Sequence, residues 1–203
     1  MSVDKNLFLY DLAFVSIMKD EGSYIKEWLD YHLLAGVNHF FIYDNESEDN
    51  FKEILQPYID SGLVTYIFYP GKVRQMPAFN AAVRDFKFFC RYMAFIDADE
   101  FVLPKSKPTI PEVVNEILAD NSKSAALGIN WIFFGSNGHD KADYTRGVLD
   151  RFTARDANVD QQVKTIADPR KINFIWNPHS AAYLNNSHSV NENGVTFDGP
   201  FNK

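Results

Sequence analysis

The sequence predicts an α/β protein: a Rossmann-like, mostly parallel sheet with helices on both faces, followed by a mixed C-terminal half. Three observations lead there. Up to Ile96, apolar runs of strand length alternate with helical patterns in the order β, α, β, α, β, α, β, which calls for parallel strands joined by crossover helices. The runs are continuously apolar, as in central strands covered on both faces. Each of them ends in a polar cluster, and in such sheets ligands bind outside the carboxyl ends of the strands.

The first strand is "LAFVSIM", Leu12 to Met18, closed by "KDEG". Ser23 is a suitable N-cap for the helix that follows. Its apolar face runs through Ile25, Trp28, Leu29, His32 and Leu33, and Gly36 supplies the stop. "VNHFFIYDN" is the second strand. "SEDNFKEIL" offers a cap and a face through Phe51, Ile54 and Leu55, with Pro57 marking a break or a fresh first turn. Gly62 leads into the third strand, "LVTYIFY". Pro77 suits the first turn of a helix whose Ala78, Ala82, Val83, Phe86 and Phe89 recur at helical spacing. "YMAFI" is the fourth strand. Beyond Pro104 the alternation stops: Thr109 and Pro111 open a short helix to about Leu118, "SAALGINWIFFG" is a long strand-like run, and "GVLDRFTAR" and "VKTIADPRKINFIW" read as further strands with turns. The tail "VNENGVTFDGPFNK" shows no regular element, which leaves open a loose end or a longer natural chain.

The 203 residues suffice for one sizeable core, and no linker divides residues 1–203 into separate domains. With 46% hydrophobic and 23% charged residues the composition is that of an ordinary globular chain, not a disordered one. A net charge of −7 without any basic cluster excludes nucleic acid as the expected partner. The 18 Phe, 10 Tyr and 3 Trp point first to a large packed core. Cys90, the only cysteine, sits in "FKFFCRYM" and reads as core. No apolar run reaches the about 18 residues of a membrane span. The expected location is therefore cytoplasmic, with peripheral contact at the inner face of the membrane left open.

The segment "RYMAFIDADEFVLP" places Asp97, Asp99 and Glu100 directly after a buried strand. Carboxylates there must be solvated, paired or facing a cation. A solvated acidic turn is the plain alternative. Oxygen ligands suit Mg²⁺ or Mn²⁺, and an ion held by one or two carboxylates completes its shell with substrate phosphates, so a diphosphate ester is the ligand this placement favours.

The ordered blocks "VSIMKDEGSYIKEWLDYHLLAGVNHFFIYDNESEDN", "RQMPAFNAAV", "YMAFIDADEFVLP", "INWIFFGSNGH", "VLDRF" and "VKTI…NPHSA" resemble glycosyltransferase family 92 and related family 2-like enzymes of the GT-A fold, over about Leu12 to Ala181. The resemblance implies that Asp97, Ala98 and Asp99 form the metal motif under the diphosphate of a UDP-sugar. It implies an inverting transfer, commonly of galactose, to a saccharide hydroxyl. It also implies a nucleotide-sugar half at about 12–104 and an acceptor half at about 105–203. His179 falls where such enzymes supply a third metal ligand. Asp44 falls where they contact uridine, or else caps its own turn. Gln75 and Asn80 are candidates for hydrogen bonds to the donor, and Lys72 or Arg74 for its phosphates. Glu21 reads as pocket wall. Glu100 is expected to point away from Asp99 along an extended chain. Inverting transfer needs a general base, for which Asp140, Asp143, His139 and Glu100 are candidates, Asp140 foremost. Trp131, Phe133 and Phe134 could offer a sugar-stacking surface, although their strand pattern also suits core packing.

Two other classes are open to the residues. A haloacid-dehalogenase-type phosphatase also uses Asp-x-Asp after a strand, but that motif normally continues to Thr or Val early in the domain, whereas here "EF" follows in mid-chain. A non-catalytic relative would bind nucleotide sugar or glycan without turnover.

Overall fold

The computed structural model describes residues 7–119 and 123–202. In chain order it contains β1 (Tyr10–Met18), α1 (Ile25–Leu34), β2 (His39–Asp44), α2 (Phe51–Asp60), β3 (Val64–Phe68), α3 (Gln75–Phe86), β4 (Cys90–Phe95) and α4 (Ile110–Leu118). Then come β5 (Ser124–Asn130), β6 (Phe134–Gly135), α5 (Val148–Arg151), β7 (Ala154–Arg155), β8 (Val163–Ala167), β9 (Ile172–Asn177), β10 (Ser180–Tyr183), β11 (His188–Val190) and β12 (Thr196–Phe197). Eight strands make one sheet in the order β12-β11-β5-β8-β4-β1-β2-β3. β4, β1, β2 and β3 are parallel, so their carboxyl ends share one edge. β8 enters between β4 and β5, antiparallel to both. The predicted α/β class and mixed second half agree with this sheet.

Side chains of β1 alternate across the sheet, as strand geometry requires. Leu12, Phe14 and Met18 pack with Trp28 and Leu29 of α1, Phe51 and Leu55 of α2, and Ile110 and Val114 of α4. Ala13 and Val15 face Ala78, Phe79 and Ala82 of α3 and Ile175 and Ala181 of the β9–β10 hairpin. Trp28 and Phe14 are fully buried, and truncating such a side chain costs about 3–5 kcal/mol.

Helix α1 does more than cover the sheet. Its Trp28 Nε1 donates to the Glu100 carbonyl at 2.8 Å and its Tyr31 hydroxyl to the Val102 carbonyl at 3.3 Å. His32 Nε2 accepts from the Val102 N–H at 3.1 Å while its Nδ1 donates to the Trp28 carbonyl at 2.9 Å. The segment that follows the acidic cluster is thus fixed by three side chains on one helical face.

Several local expectations are corrected. Tyr24, not Ser23, is the N-cap of α1 and makes no side-chain cap; the entry is set by Tyr24 and Ile25 N–H groups on the Glu21 carbonyl. Gly36 ends α1 as expected, at φ +98°. Pro57 does not break α2, which runs through it to Asp60. Proline removes one N–H, while Phe51 and Leu55 are fully buried and the Ser61 N–H caps the Pro57 carbonyl at 3.1 Å. Phe89 lies past the end of α3 and is 48% exposed. The run after Asn130 is not one strand: the chain leaves the sheet at Trp131, and β6 pairs with β7 in a separate ribbon. Residues 148–151 form a helical turn instead of a strand. The tail is not without structure, since β12 pairs with β11 and Phe201 bridges to Gln162. Among the described residues no helix is long and apolar enough to cross a membrane.

Burial holds the His32 imidazole well below its usual range, at about 3. Because the folded value lies below the unfolded one, the stability of the neutral ring is present above pH 6.5 and is lost as pH falls toward 3. In urea melts at pH 7 and pH 5, His32→Phe is expected to shrink the wild-type loss between the two by about 2 kcal/mol. The same variant should be about 1–3 kcal/mol less stable at pH 7, because the Val102 N–H loses its acceptor.

Candidate active site

The carboxyl edge gathers the ends of β1, β2, β3, β4 and β5 with the start of β8 and the β9–β10 turn. Its centre is a tight turn over Asp97–Glu100, closed by the Glu100 N–H on the Asp97 carbonyl at 3.2 Å. The Glu100 carboxylate folds back so that Oε2 accepts the Asp97 N–H at 2.9 Å. The expectation that Glu100 points away along an extended chain is therefore corrected: the chain turns after Asp97, and Glu100 lies beside it.

A lysine that sequence reasoning passed over completes this centre. Continuing the antiparallel register from Met93↔Ala167 and Ala94↔Ile166 brings Lys164 level with Ile96. Its Nζ lies 2.6 Å from Asp97 Oδ2 and 3.4 Å from Glu100 Oε2, and 5.8 Å over the Trp131 ring. Gln75, at the first turn of α3, donates to Asp97 Oδ1 at 2.8 Å. Burial pushes the Glu100 carboxyl up to about 7, with Lys164 pulling against that rise and the Asp97 charge adding to it. The signal in the sequence was a lone cation inside the apolar strand "VKTIA".

His179 joins the same cluster. Its Nδ1 donates to the Val163 carbonyl at 3.1 Å and its ring packs edge-on to Trp131, centroids 4.8 Å apart. Burial and then the Lys164 charge lower its pKa, against a smaller opposing pull from Asp97. With Nδ1 donating, the lone pair of the neutral tautomer lies on Nε2. Ala98 packs against the core from the top of the turn. Asp99 is exposed and takes part in no hydrogen bond or ion pair. It lies close enough to Glu21 that, after burial, its charge is the largest influence raising the Glu21 carboxyl, ahead of Asp49 and Asp20.

Other candidates lie differently. Asp44 is 3% exposed and fully engaged, accepting the Ser47 N–H at 2.9 Å and the Tyr66 hydroxyl; the structure gives it the turn-capping role. Asn80 faces β9: its Nδ2 donates to the Met76 and Ile175 carbonyls and its Oδ1 accepts the Ile175 N–H, at 2.8, 2.8 and 2.9 Å. These bonds saturate its amide donors, so the expected donor-sugar contact is replaced by a clamp between α3 and β9. Asp140 and His139 are exposed on the loop between β6 and α5. Asp143 of that loop holds Thr145, which keeps its carboxyl below the usual range. Phe133 and Phe134 are about half exposed. Beside the central turn, a cleft is lined by Ile17, Lys19, Asn45, Arg74, Gln75 and Met76. Lys19 in it is exposed and unpaired, whereas Arg74 bonds the Pro70 carbonyl at 2.7 Å. A second concavity, at Arg91, Lys107 and Glu112, has no such chemistry beside it.

Among the described residues no three His, Cys, Asp or Glu side chains are grouped to hold an ion by themselves. The donor set fits instead a hard cation held by one or two side chains and by ligand phosphates. Asp99 is a free carboxylate under repulsion from Glu21, and His179 presents a neutral nitrogen whose partner nitrogen is already fixed, as ligating histidines usually are.

Residues 15–197 match the sequence profile of glycosyltransferase family 92. A family 92 protein of Ricinus communis is 26% identical over 165 residues, which is 81% of this chain and 30% of that protein. Galactan beta-1,4-galactosyltransferase GALS2 of Arabidopsis thaliana is 30% identical over 101 residues, 44% of this chain and 19% of that one. The chain thus spans under a third of the length of the curated relatives it matches. Among solved structures, S. aureus TarS 1-349 in complex with UDP superposes with a TM-score of 0.48 at 14% identity, covering 66% of this chain and 38% of that one, too loose a likeness to carry residues across.

If Asn80 is a clamp, Asn80→Ala strands the Ile175 N–H and carbonyl and should cost about 1–3 kcal/mol in chemical denaturation. A loss of stability below a few tenths, roughly what an exposed position gives, would return Asn80 to the ligand side.

Proposed function

The chain belongs to glycosyltransferase family 92, and from that premise we propose that it moves a hexose, galactose or glucose, from a UDP-sugar to a hydroxyl of a glycan or lipid-linked saccharide, with a divalent cation and with inversion at the anomeric carbon. The observation that carries the reading is the Asp97–Glu100 turn, stationed at the carboxyl edge beside a cleft that holds Lys19 and Arg74. A relative named for galactan galactosyl transfer supports galactose among the hexoses.

Asp99 and Nε2 of His179 are the groups that would hold Mg²⁺ or Mn²⁺, which when bound offsets charge on the departing diphosphate. Lys19 and Arg74 face phosphate oxygens from the cleft. Gln75 holds Asp97 in one orientation through Oδ1. The acceptor oxygen bonds to the anomeric carbon as the bond from that carbon to the diphosphate oxygen breaks, and UDP leaves with the electron pair. The hydroxyl proton goes to a carboxylate on the opposite face. Glu100 is held beside Asp97, its Oε2 serving Lys164 and the Asp97 N–H. Asp140 is free to receive the proton. Its loop is fastened to α1 by Glu27, whose Oε1 accepts the Leu149 N–H at 3.1 Å, and by Tyr144 against Tyr24, ring centroids 5.9 Å apart. The first turn of α1 follows Glu21, the neighbour of Asp99, and this connection supports Asp140 as the base.

Calorimetric titration of UDP is expected to give binding in the presence of Mn²⁺ and none without it, with Asp99→Asn weakening it by at least about tenfold, or 1.4 kcal/mol. Metal-independent binding, or no binding, would remove the basis of the reading. Product formation from UDP-galactose or UDP-glucose with oligosaccharide acceptors then separates an enzyme from a silent binder. In that assay Asp140→Asn should lower kcat by about 100-fold or more while leaving UDP affinity unchanged.

A further inference from the structure

Asp97 has no uncommitted oxygen: Gln75 bonds Oδ1 at 2.8 Å and Lys164 Nζ holds Oδ2 at 2.6 Å. The lysine side chain is 3% exposed, and its ammonium is surrounded by Asp97, Glu100 and the face of Trp131. An ammonium and a divalent cation compete for the same carboxylate lone pairs. Lysine is suited to such an exchange, because its charge is a compact point on a flexible four-carbon stem, whereas an arginine fork would be locked. Asp99, two residues on, carries no such partner.

We propose that Lys164 is a built-in competitor of a divalent ion for Asp97: it holds that carboxylate and must yield it before Asp97 can become a ligand. The ion alone then meets only Asp99 and His179 and binds weakly. A nucleotide diphosphate, bringing oxygens of its own, makes up the missing ligation, so ion and nucleotide bind in synergy. The choice of ion and nucleotide rests on the transferase reading, but the competition itself can be tested without any nucleotide.

Mn²⁺ alone is titrated into the full chain and the free ion is read by electron paramagnetic resonance. Lys164→Met, which frees the Asp97 carboxyl oxygens for the ion, is expected to bind Mn²⁺ at least about tenfold more tightly than wild type. Loss of a nearby positive charge alone also favours the ion, but that gain would survive the further change Asp97→Asn. Lys164→Arg keeps the charge and should show no gain, and adding Asp97→Asn to Lys164→Met should abolish it. Because removing one partner of a buried pair destabilises a fold, the titration is repeated on Lys164→Met with Glu100→Gln, which leaves one carboxylate fewer unpaired; the same gain is expected. Mn²⁺ affinity equal to or below wild type in these variants, with thermal melts showing them folded, overturns the proposal. If the gain appears but UDP binds no form of the protein, the competition stands and the transferase reading falls.

Discussion

Three carboxylates in four residues can end a buried strand because their charge is divided between a buried ammonium and open water. Asp97 and Glu100 face Lys164, while Asp99 faces solvent. An unpaired pair of anions at that depth would be costly or would take up a proton. The cation comes from outside the parallel half of the sheet. It is supplied by β8, which runs the opposite way and so brings its first residues, not its last, to the edge where the parallel strands finish.

The turn is held from the opposite side by α1. Trp28, Tyr31 and His32 bond the backbone at Glu100 and Val102, and Ser16 of β1 bonds the Ile96 carbonyl just before the turn. A polar loop of this sort usually belongs to the mobile parts of a protein. Here it is anchored before and after by rigid elements, which is what a site requires if its groups are to stay in place while a ligand arrives.

The alternation of strands and helices up to Ile96 was legible because burial on both faces leaves continuous apolar runs, and the polar strand ends were placed on one edge by parallel topology alone. Asp97 and Asp99 could be found the same way. Lys164 could not: nothing in the local pattern of "VKTIA" says that this strand inserts beside β4, a pairing across about 70 residues. Glu100 was misdirected because strand parity was carried one step past the strand. Asn80 lies on the edge of a helix, where a side chain facing a hairpin 95 residues away looks like one facing a pocket. Pro57 shows a propensity overridden by two buried anchors in the same helix. For Lys164 and Asn80 the missing fact was a long-range contact.

The late position of β8 also bears on how the molecule comes to be made. A ribosome releases the parallel strands β1 to β4 and the whole acidic turn well before residue 164 exists. During that interval β4 is an edge strand, apolar and unpaired on one side, and the carboxylates beyond it lack their cation. Exposed edges of this kind invite association with other chains. Capping that edge and neutralising the turn are accomplished by the same strand in the same step, so β4 gains its second neighbour and the site its cation at one moment.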